Sequence, residues 1–512
     1  MKPRIASCLI LLLGLWLVAP PARAAALFAV EEHGSRAQRI NLVFLAEGYT
    51  AVEMPKFAGD VTAALDFLFT REPWQQYRSY CNVYRIEVAS SQSGCDNGAT
   101  GGAGVLRDTY FNTGFIMANI PQFLGIDATG TNRALTLLNT YVPEYDIPVI
   151  LVNDAKYGGA GGPITIVSTH PLGSAVVEHE LGHSFALLED EYDADYPIYT
   201  PAEAPNITAK NDRGSIKWNY WINDDTPVAT PETAEYDAAV GLFEGAMYRS
   251  SGWYRPHNNS VMRTLNRPCG AVNREQFVLR YYAQVSPLDA WSPATNNRKV
   301  TGPERLSFTV TPKVPVGGEP LVTSWMVDGA VQYEVVGNEF ATFSDNLGNG
   351  VHTVTATVTD PTAFVRHDPD RLLEASVTWP LTLSNQPPNN LSDWRDAYGE
   401  DLANPAGDGL TNLMKYALGL PPTAHAQPAQ LPAGSVTRDG SGNYLTLNVP
   451  RHARRQDVDS IVEVSDDLET WHGGWGDTVV LQDDESVWVV RDATPMTAET
   501  RRFIRLKVVA YW

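Results

Sequence analysis

Residues 174–192 of this 512-residue chain read SAVVEHELGHSFALLEDEY. Apolar residues recur at helical spacing on both sides of His179 and His183, and no proline occurs between Gly173 and Asp195. The stretch is therefore predicted to be helical through the two histidines. Four residues apart on a helix, the two imidazoles lie on one face, one turn apart, where both can reach a single ion.

The acid between the two histidines gives this pattern a chemical interpretation. In H-E-x-x-H helices the histidines bind zinc, and the glutamate takes a proton from a water molecule activated by the metal. We predict His179 and His183 as metal ligands and Glu180 as the general base. The alternative is a core helix whose histidines bond to the backbone, and Glu180 favours the metal site over it.

A catalytic zinc site needs a third protein ligand and an open position for water. If the helix continued straight past His183, Asp190 would lie on the correct face but about 10 Å along the axis. The chain must therefore turn back after His183 to supply a ligand. Spacing alone leaves Asp190, Glu189 and the more distant Glu244 open.

The N-terminus has the pattern of an export signal. Lys2 and Arg4 precede the apolar run 9–18, and the small-x-small sequence at 22–24 is typical of a signal-peptidase site. We predict residues 1–24 as a signal peptide and the mature protein as secreted. No other stretch approaches the ~18 uninterrupted apolar residues of a membrane span.

Charge narrows the choice of partners. The net charge is -21, and it becomes -24 without residues 1–24, which carry Lys2, Arg4 and Arg23 but no acid. A surface this acidic argues against nucleic acid or anionic membrane as a partner.

Three cysteines, Cys81, Cys95 and Cys269, lie beyond the predicted signal peptide. They allow at most one disulfide, and Cys81 with Cys95 is the pair closest in sequence. Three buried thiols are the alternative.

Residues 25–296 alternate strand and helix patterns, as in an α/β domain. Buried strands are predicted at 40–45, 147–152 and 164–168, with a helix ending near Phe69. The glycine-rich stretch 158–162 lacks the Lys-Ser/Thr of a phosphate loop. It predicts instead a close approach of backbone to another group, such as a substrate strand beside a cleft.

The rest of the chain is predicted to be mainly β structure, which makes the protein multi-domain. Residues 297–384 alternate with a period of two and predict a β-sandwich. A linker and a short helical unit follow at 385–425. Residues 426–512 form a last β-rich module, which is a candidate for contacts with glycans or a cell surface.

Several motifs resemble the IgA-peptidase family of secreted bacterial zinc metallopeptidases. They include residues 179–185 and 188–192, with further similar stretches between 38 and 290, namely 44–49, 82–85, 153–159 and 254–263. The resemblance implies a metzincin-like peptidase domain, in which Ser260-Val261-Met262 looks like the methionine turn. It favours Asp190 over Glu189 as third ligand.

Two positions depart from the pattern of that family. Leu187 stands where the family usually has glycine, so the turn toward Asp190 must form without one. Ala46-Glu47 replaces the usual small residue and Asp before Gly48.

The accessory regions resemble other known modules. Residues 301–380 are similar to immunoglobulin-like sandwiches, and residues 404–419 are similar to a calcium loop followed by a helix. In that loop Asn404, Asp408 and Asn412 are candidate ligands for Ca2+, while Ala406 stands at a position that usually carries an acid.

The function expected from these features is hydrolysis of peptide bonds in extracellular proteins. Tyr248, Tyr254 and His257 are candidates to stabilise the oxyanion. The main alternative is a non-catalytic surface or carbohydrate-binding protein built on a zinc scaffold, which would not need Glu180. Zinc-dependent hydrolysis of a non-peptide bond is a third. Cleavage of immunoglobulin A is not carried over, because no residue identified here reads a cleavage sequence.

Overall fold

A computed structural model describes residues 25–98, 104–115, 122–195, 200, 202–440, 442–451, 455–484, 487–496 and 501–511. The predicted signal peptide lies outside these residues. The chain forms two compact units. The first runs to Val285 and includes Pro315–Glu319 and Thr362–Leu372, and the second contains the remainder. No described helix is long and apolar enough to cross a membrane.

The first unit contains a six-stranded sheet. Its strands are β1 (Ala26–Glu31), β2 (Ile40–Glu47), β3 (Cys81–Glu87), β7 (Ile147–Val152), β8 (Gly159–Ala160) and β9 (Thr165–Ser168), in the order β1-β3-β2-β7-β9-β8. Strands β3, β2, β7 and β9 are parallel, while β1 and β8 run antiparallel at the two edges. Every residue of β2 and β7 is buried, which explains their continuous apolar sequence. The predicted strands are confirmed.

The described residues of this unit form four α-helices: α1 (Met54–Leu68), α2 (Ala128–Tyr141), α3 (Gly173–Ser184) and α4 (Ala271–Gln284). Two short sheets complete it, one formed by β4 (Asp96–Asn97), β5 (Thr113–Phe115) and β6 (Leu124–Ile126), the other by β10 (Phe243–Ala246) and β11 (Arg249–Arg255). Leu137 and Leu138 of α2 pack in one core with Val43 and Leu45 of β2. Helix α3 contacts α1, β8 and β9, and so lies beside the β8 edge of the main sheet.

Glu47, one of the two departures from the family pattern, holds a loop beside the sheet. Its fully buried carboxylate accepts hydrogen bonds from the Thr109 and Thr113 hydroxyls and from the backbone amides of Phe111 and Thr113. Since these donors lie within residues 109–113, the carboxylate fixes the start of β5 and the loop before it against the end of β2.

The cysteines are not joined by a disulfide. Cys81, Cys95 and Cys269 are all free and buried. Burial raises the pKa of each thiol. The alternative of three buried thiols is therefore the one observed.

The second unit begins with two sheets around a shared core. One contains β12 (Leu288–Ser292), β14 (Arg305–Pro312) and β17 (Glu339–Phe343), and the other contains β13 (Arg298–Thr301), β15 (Val322–Val327), β16 (Ala330–Val331), β18 (Gly350–Thr359) and β19 (Glu374–Ser384). Phe308, Trp325 and Trp379 pack between them. This is the two-layered β arrangement that the alternating sequence predicted.

In the part of the second unit that the structure describes, three short α-helices and two more sheets follow. The helices are α5 (Ser344–Leu347), α6 (Leu391–Tyr398) and α7 (Asn412–Leu418). One sheet contains β20 (Ala433–Asp439), β21 (Gly442–Pro450), β24 (Thr478–Asp483) and β25 (Val487–Asp492), and the other contains β22 (Val458–Ser465), β23 (His472–Gly473) and β26 (Phe503–Ala510).

The loop that resembles a calcium site is filled by protein groups. The Lys415 ammonium is fully buried, lies 2.8 Å from Asp408 Oδ2 and donates to the Ala424 carbonyl. The side-chain oxygen of Asn412 accepts from Trp394, and that of Asn404 accepts from the Asp408 amide. Because an internal cation already neutralises Asp408, we do not expect calcium to bind here.

Candidate metal centre

The chain turns back immediately after α3. The Phe185 amide bonds to Leu181 O, and the Leu188 amide bonds to Gly182 O at 2.8 Å. Leu187 makes this reversal with a φ of 57°, in the left-handed region that glycine adopts most easily. The turn expected from the spacing is therefore present, with leucine where the family has glycine.

This turn brings His179, His183 and Asp190 together. The two Nε2 atoms are 3.2 Å apart, and Asp190 Oδ1 lies 3.2 Å from the first and 3.4 Å from the second. Among the described residues, these three make up the group of ligand-type side chains that could hold a metal ion.

Backbone carbonyls fix the orientation of both imidazoles. His179 Nδ1 lies 3.0 Å from Val261 O, and His183 Nδ1 lies 2.8 Å from Leu188 O. A carbonyl oxygen only accepts, so Nδ1 carries the proton of each neutral ring and Nε2 presents a lone pair. Such contacts hold metal-binding histidines in the correct tautomer.

The donor set fits a cation. Two imidazole lone pairs converge on Asp190 Oδ1, a buried oxygen that receives no hydrogen bond from the described residues. Burial lowers the pKa of His183, but Asp190 and Glu180 outweigh that effect and raise it to about 9. Burial also raises the pKa of Asp190, yet the adjacent imidazoles bring it below its usual range. The site therefore attracts positive charge.

Met262 lies directly beneath α3. A Cβ at Gly182 would come within 2.4 Å of Met262 Sδ, so only glycine allows this contact. The neighbouring Val261 supplies the carbonyl that holds His179. The segment 260–262 thus supports the helix and one ligand at the same time.

Glu191 ties the third ligand to that same segment. Its buried carboxylate accepts from the Ser260 hydroxyl at 2.7 Å and from the amides of Asn206 and Asn273 at 3.0 and 2.9 Å. Its backbone amide donates to Met262 O. Because Glu191 follows Asp190, these bonds fix the backbone that carries the ligand.

The backbone of the glycine-rich stretch 158–162 packs against the Glu180 side chain. A Cβ at Gly161 would lie 2.7 Å from Glu180 Oε2 and 3.1 Å from His183 Cβ, and one at Gly159 would lie 3.5 Å from Glu180 Oε1. The Gly161 backbone also lowers the pKa of the Glu180 carboxylate. The predicted close approach of this backbone is present, and the group it approaches is Glu180.

A cleft of about 740 Å³ opens over these residues. Its walls include the glycine-rich strand β8, Phe123, Tyr157, Leu187, Leu188, Tyr192 and Leu265. The side chain of Glu180 is only 9 % exposed, and burial raises its pKa while the two histidines lower it, with a net upward shift.

Two tyrosines of the cleft were not assigned a role from sequence, although both stand inside the quoted motifs. Tyr192 stacks on the His179 ring with centroids 6.1 Å apart, and Tyr157 is 41 % exposed. Burial and the nearby Glu180 carboxylate raise the pKa of both hydroxyls. Neither hydroxyl has a hydrogen-bond partner among the described residues. The position of these tyrosines in the Tyr-Gly-Gly and Asp-Glu-Tyr sequences is the feature from which a role in the site could have been predicted.

The other sequence candidates lie elsewhere or act differently. The Tyr248 hydroxyl donates to Asp190 Oδ2 at 2.8 Å, which orients the third ligand. Tyr254 packs in a separate core with Trp218, and His257 Nε2 accepts from the Ala271 amide at the start of α4. Glu244 is exposed and bonds to the Gly252 amide.

Glu189 lines the cleft but does not belong to the group of three. Asp190, not Glu189 or Glu244, thus meets the two histidines.

Comparison with known proteins agrees with this geometry. Residues 28–236 match the family model described as IgA Peptidase M64. This region of the chain is therefore similar to the IgA peptidase M64 family. The match contains the two histidines, Glu180 and Asp190, whereas Met262 lies beyond its end. No curated protein matches the chain.

Similarity to the IgA peptidase M64 family indicates a peptidase, and a peptidase acts on a protein or peptide substrate. The three converging side chains indicate a metal-dependent one.

Proposed function

We propose that the protein is a secreted, zinc-dependent endopeptidase. The observation that carries this proposal is the convergence of His179, His183 and Asp190 beside Glu180 in an open cleft. Two neutral imidazoles and one carboxylate are a donor set typical of catalytic zinc. Secretion rests on the signal pattern of residues 1–24. The segment 260–262 beneath the helix supports a metzincin-like fold.

The residues have separate roles in this mechanism. His179, His183 and Asp190 hold the ion, which when bound lowers the pKa of a water molecule toward neutrality and polarises the scissile carbonyl. Glu180 takes the proton of the attacking water and delivers it to the leaving amine. The Gly161 backbone lies against the Glu180 carboxylate, and the Tyr248 hydroxyl holds the Asp190 carboxylate in place.

Tyr192 and Tyr157 are our candidates to donate a hydrogen bond to the developing oxyanion. Both side chains line the cleft, and neither hydroxyl has a hydrogen-bond partner among the described residues. Loss of one oxyanion donor typically costs about 10² to 10³ in kcat. We expect Tyr192→Phe to lower kcat by about that factor at unchanged metal content; a wild-type kcat would remove Tyr192 from the mechanism.

The test is cleavage of an unbiased peptide library by purified residues 25–512 loaded with zinc, beside the Glu180→Gln variant. Mass spectrometry identifies the cut sites, and zinc content is measured on both proteins. We expect cuts by the first protein alone, with equal zinc in the two.

A binding protein built on a zinc scaffold is the second candidate. Its support is the exposed aromatic surface of the second unit, where the Trp475 side chain is fully accessible. Zinc bound by both proteins with no cleavage by either would favour this scaffold. Full activity of Glu180→Gln would reject the assignment of the base.

A further inference from the structure

Glu189 is an acid without an assigned task. It precedes the third ligand, yet it lies outside the group of three that could hold the ion. Its side chain lines the cleft, and no described residue gives it a hydrogen bond or an ion pair. A carboxylate left unpaired in a partly enclosed site is costly unless a ligand supplies the partner.

The backbone of Glu189 is held from both directions by one buried residue. Asn206 Oδ1 accepts from the Glu189 amide at 2.9 Å, and Asn206 Nδ2 donates to the Glu189 carbonyl at 2.8 Å. Asn206 is itself fully buried and also bonds to Glu191. The side chain of Glu189 therefore projects from a fixed point rather than from a free loop.

The cleft that Glu189 lines has more acidic than basic side chains among the described residues. The cleft contains three carboxylates, those of Glu180, Glu189 and Asp190, and no lysine or arginine among its described residues. A divalent ion would balance Glu180 and Asp190 and leave Glu189 uncompensated.

The cleft that Glu189 lines also contains apolar side chains. They include Leu187, which is 52 % exposed, Leu188 and Leu265. A cleft that offers both apolar side chains and a carboxylate matches a side chain with an aliphatic stem and a cationic head. Lysine and arginine are the two amino acids with that construction.

We propose that Glu189 is a specificity residue that selects a lysine or arginine within one or two positions of the scissile bond. This inference rests on the proposed peptidase function. The acidic surface, with its net charge of -21, would attract the same basic peptides from solution.

The first experiment compares peptides that differ at one position, carrying Lys, Arg, Gln, Met or Glu, with wild type, Glu189→Gln and Glu189→Lys. We expect wild type to prefer the basic peptides by about 10- to 100-fold in kcat/KM. Glu189→Gln should lose that preference while it still cleaves neutral peptides and keeps its zinc. Glu189→Lys should prefer the acidic peptide. The exposed Glu319→Gln variant is the matched control for the change in charge.

A second experiment measures binding without turnover. The same basic and neutral peptides are titrated against zinc-loaded Glu180→Gln and Glu180→Gln/Glu189→Gln. We expect Glu180→Gln to bind the basic peptide at least about tenfold more tightly than the neutral peptide. The double variant should bind the two peptides with equal affinity.

The outcomes separate the two proposals. Cleavage with no basic preference, or a preference that persists in Glu189→Gln, overturns the role of Glu189 and leaves the peptidase intact. Absence of all cleavage by zinc-loaded wild type overturns the peptidase mechanism, and the binding titration then decides on Glu189 by itself.

Discussion

The turn that returns Asp190 to the histidines depends on the backbone of Leu187. Its φ of 57° is unfavourable for a residue with a side chain by about 1 kcal/mol. We expect Leu187→Gly to be more stable than Leu187→Ala by about this amount. Elsewhere in a chain glycine is normally the less stable of the two, because it gains more freedom on unfolding.

Thermal unfolding of the two Leu187 variants tests this, and the comparison is matched because both lose the same leucine side chain. Zinc titration of both variants adds a second readout, since the turn carries a ligand. Equal unfolding temperatures, or a more stable alanine variant, would contradict a strained Leu187.

His257 makes the stability of the native protein depend on pH. Burial and the positive charges of Arg274 and Arg255 lower its pKa to about 3. An unfolded histidine titrates near 6.5, so between about pH 6.5 and 3 the unfolded chain binds a proton that the native protein does not. Native stability should therefore fall as the pH drops through this window, by up to about 1.4 kcal/mol per pH unit.

Urea unfolding between pH 4 and 8 measures this effect of His257. The His257→Gln variant should have a shallower pH dependence below about pH 6.5 and the wild-type dependence above it. His472→Gln, at an exposed position of β23, is the control. A variant with the wild-type slope over the whole range would exclude His257 as the source.

At the scale of elements, local sequence patterns predicted α3, β2, β7 and β9. Each of these elements has a pattern of apolar residues that can be recognised within its own short stretch of sequence. The two histidines and Glu180 follow from the same local pattern. Spacing left Asp190 undecided, since only the turn at Leu187 and the Tyr248 contact distinguish it from Glu189. Contacts such as Gly161 with Glu180 join separate elements, and no local rule encodes them.

Strand β8 and the residues that follow it form a wall against Glu180, the proposed general base. Gly161→Ala would place a methyl group 2.7 Å from Glu180 Oε2 and 3.1 Å from His183 Cβ. The carboxylate must then move away from its position beside His179, His183 and Asp190. We expect kcat to fall by at least about tenfold, because a displacement of a catalytic group by about 1 Å can lower the rate by far more. The stability of the fold should change little.

The kinetic test of Gly161→Ala uses a peptide found in the library screen. Gly59→Ala in α1 is the matched control, since a Cβ there meets no atom within 4 Å. It should keep wild-type kcat and gain up to about 1 kcal/mol of stability, as alanine does inside a helix. Wild-type kcat in Gly161→Ala would show that the wall does not set the position of Glu180.

At the scale of the molecule, a late segment completes the first unit. Glu275 of α4 is buried and accepts four hydrogen bonds, two from the backbone amides of Arg366 and His367 and two from the side chains of Tyr220 and Trp221. The Arg366 guanidinium also lies 4.0 Å from the Trp221 ring centroid. One carboxylate therefore binds the segment 362–372 to α4.

Glu275→Ala should leave those donors unpaired and lower the free energy of unfolding by about 3 kcal/mol or more. Trypsin should then cleave the native protein after Arg366 or Arg371 faster than wild type. Glu275→Gln keeps one acceptor oxygen, so its stability and its cleavage rate should lie between those of wild type and Glu275→Ala. Equal cleavage rates in all three proteins would mean that the segment is held by other contacts.

Helix α4 connects that segment to the metal centre over a short distance in sequence. Asn273 bonds to Glu191 beside the third ligand, and Glu275, two residues later, binds the segment 362–372. The ribosome makes this segment only after all the proposed catalytic and metal-binding residues have emerged. The first unit can therefore complete its packing only after residue 372 of 512 has been synthesised, although its metal-binding side chains emerge much earlier.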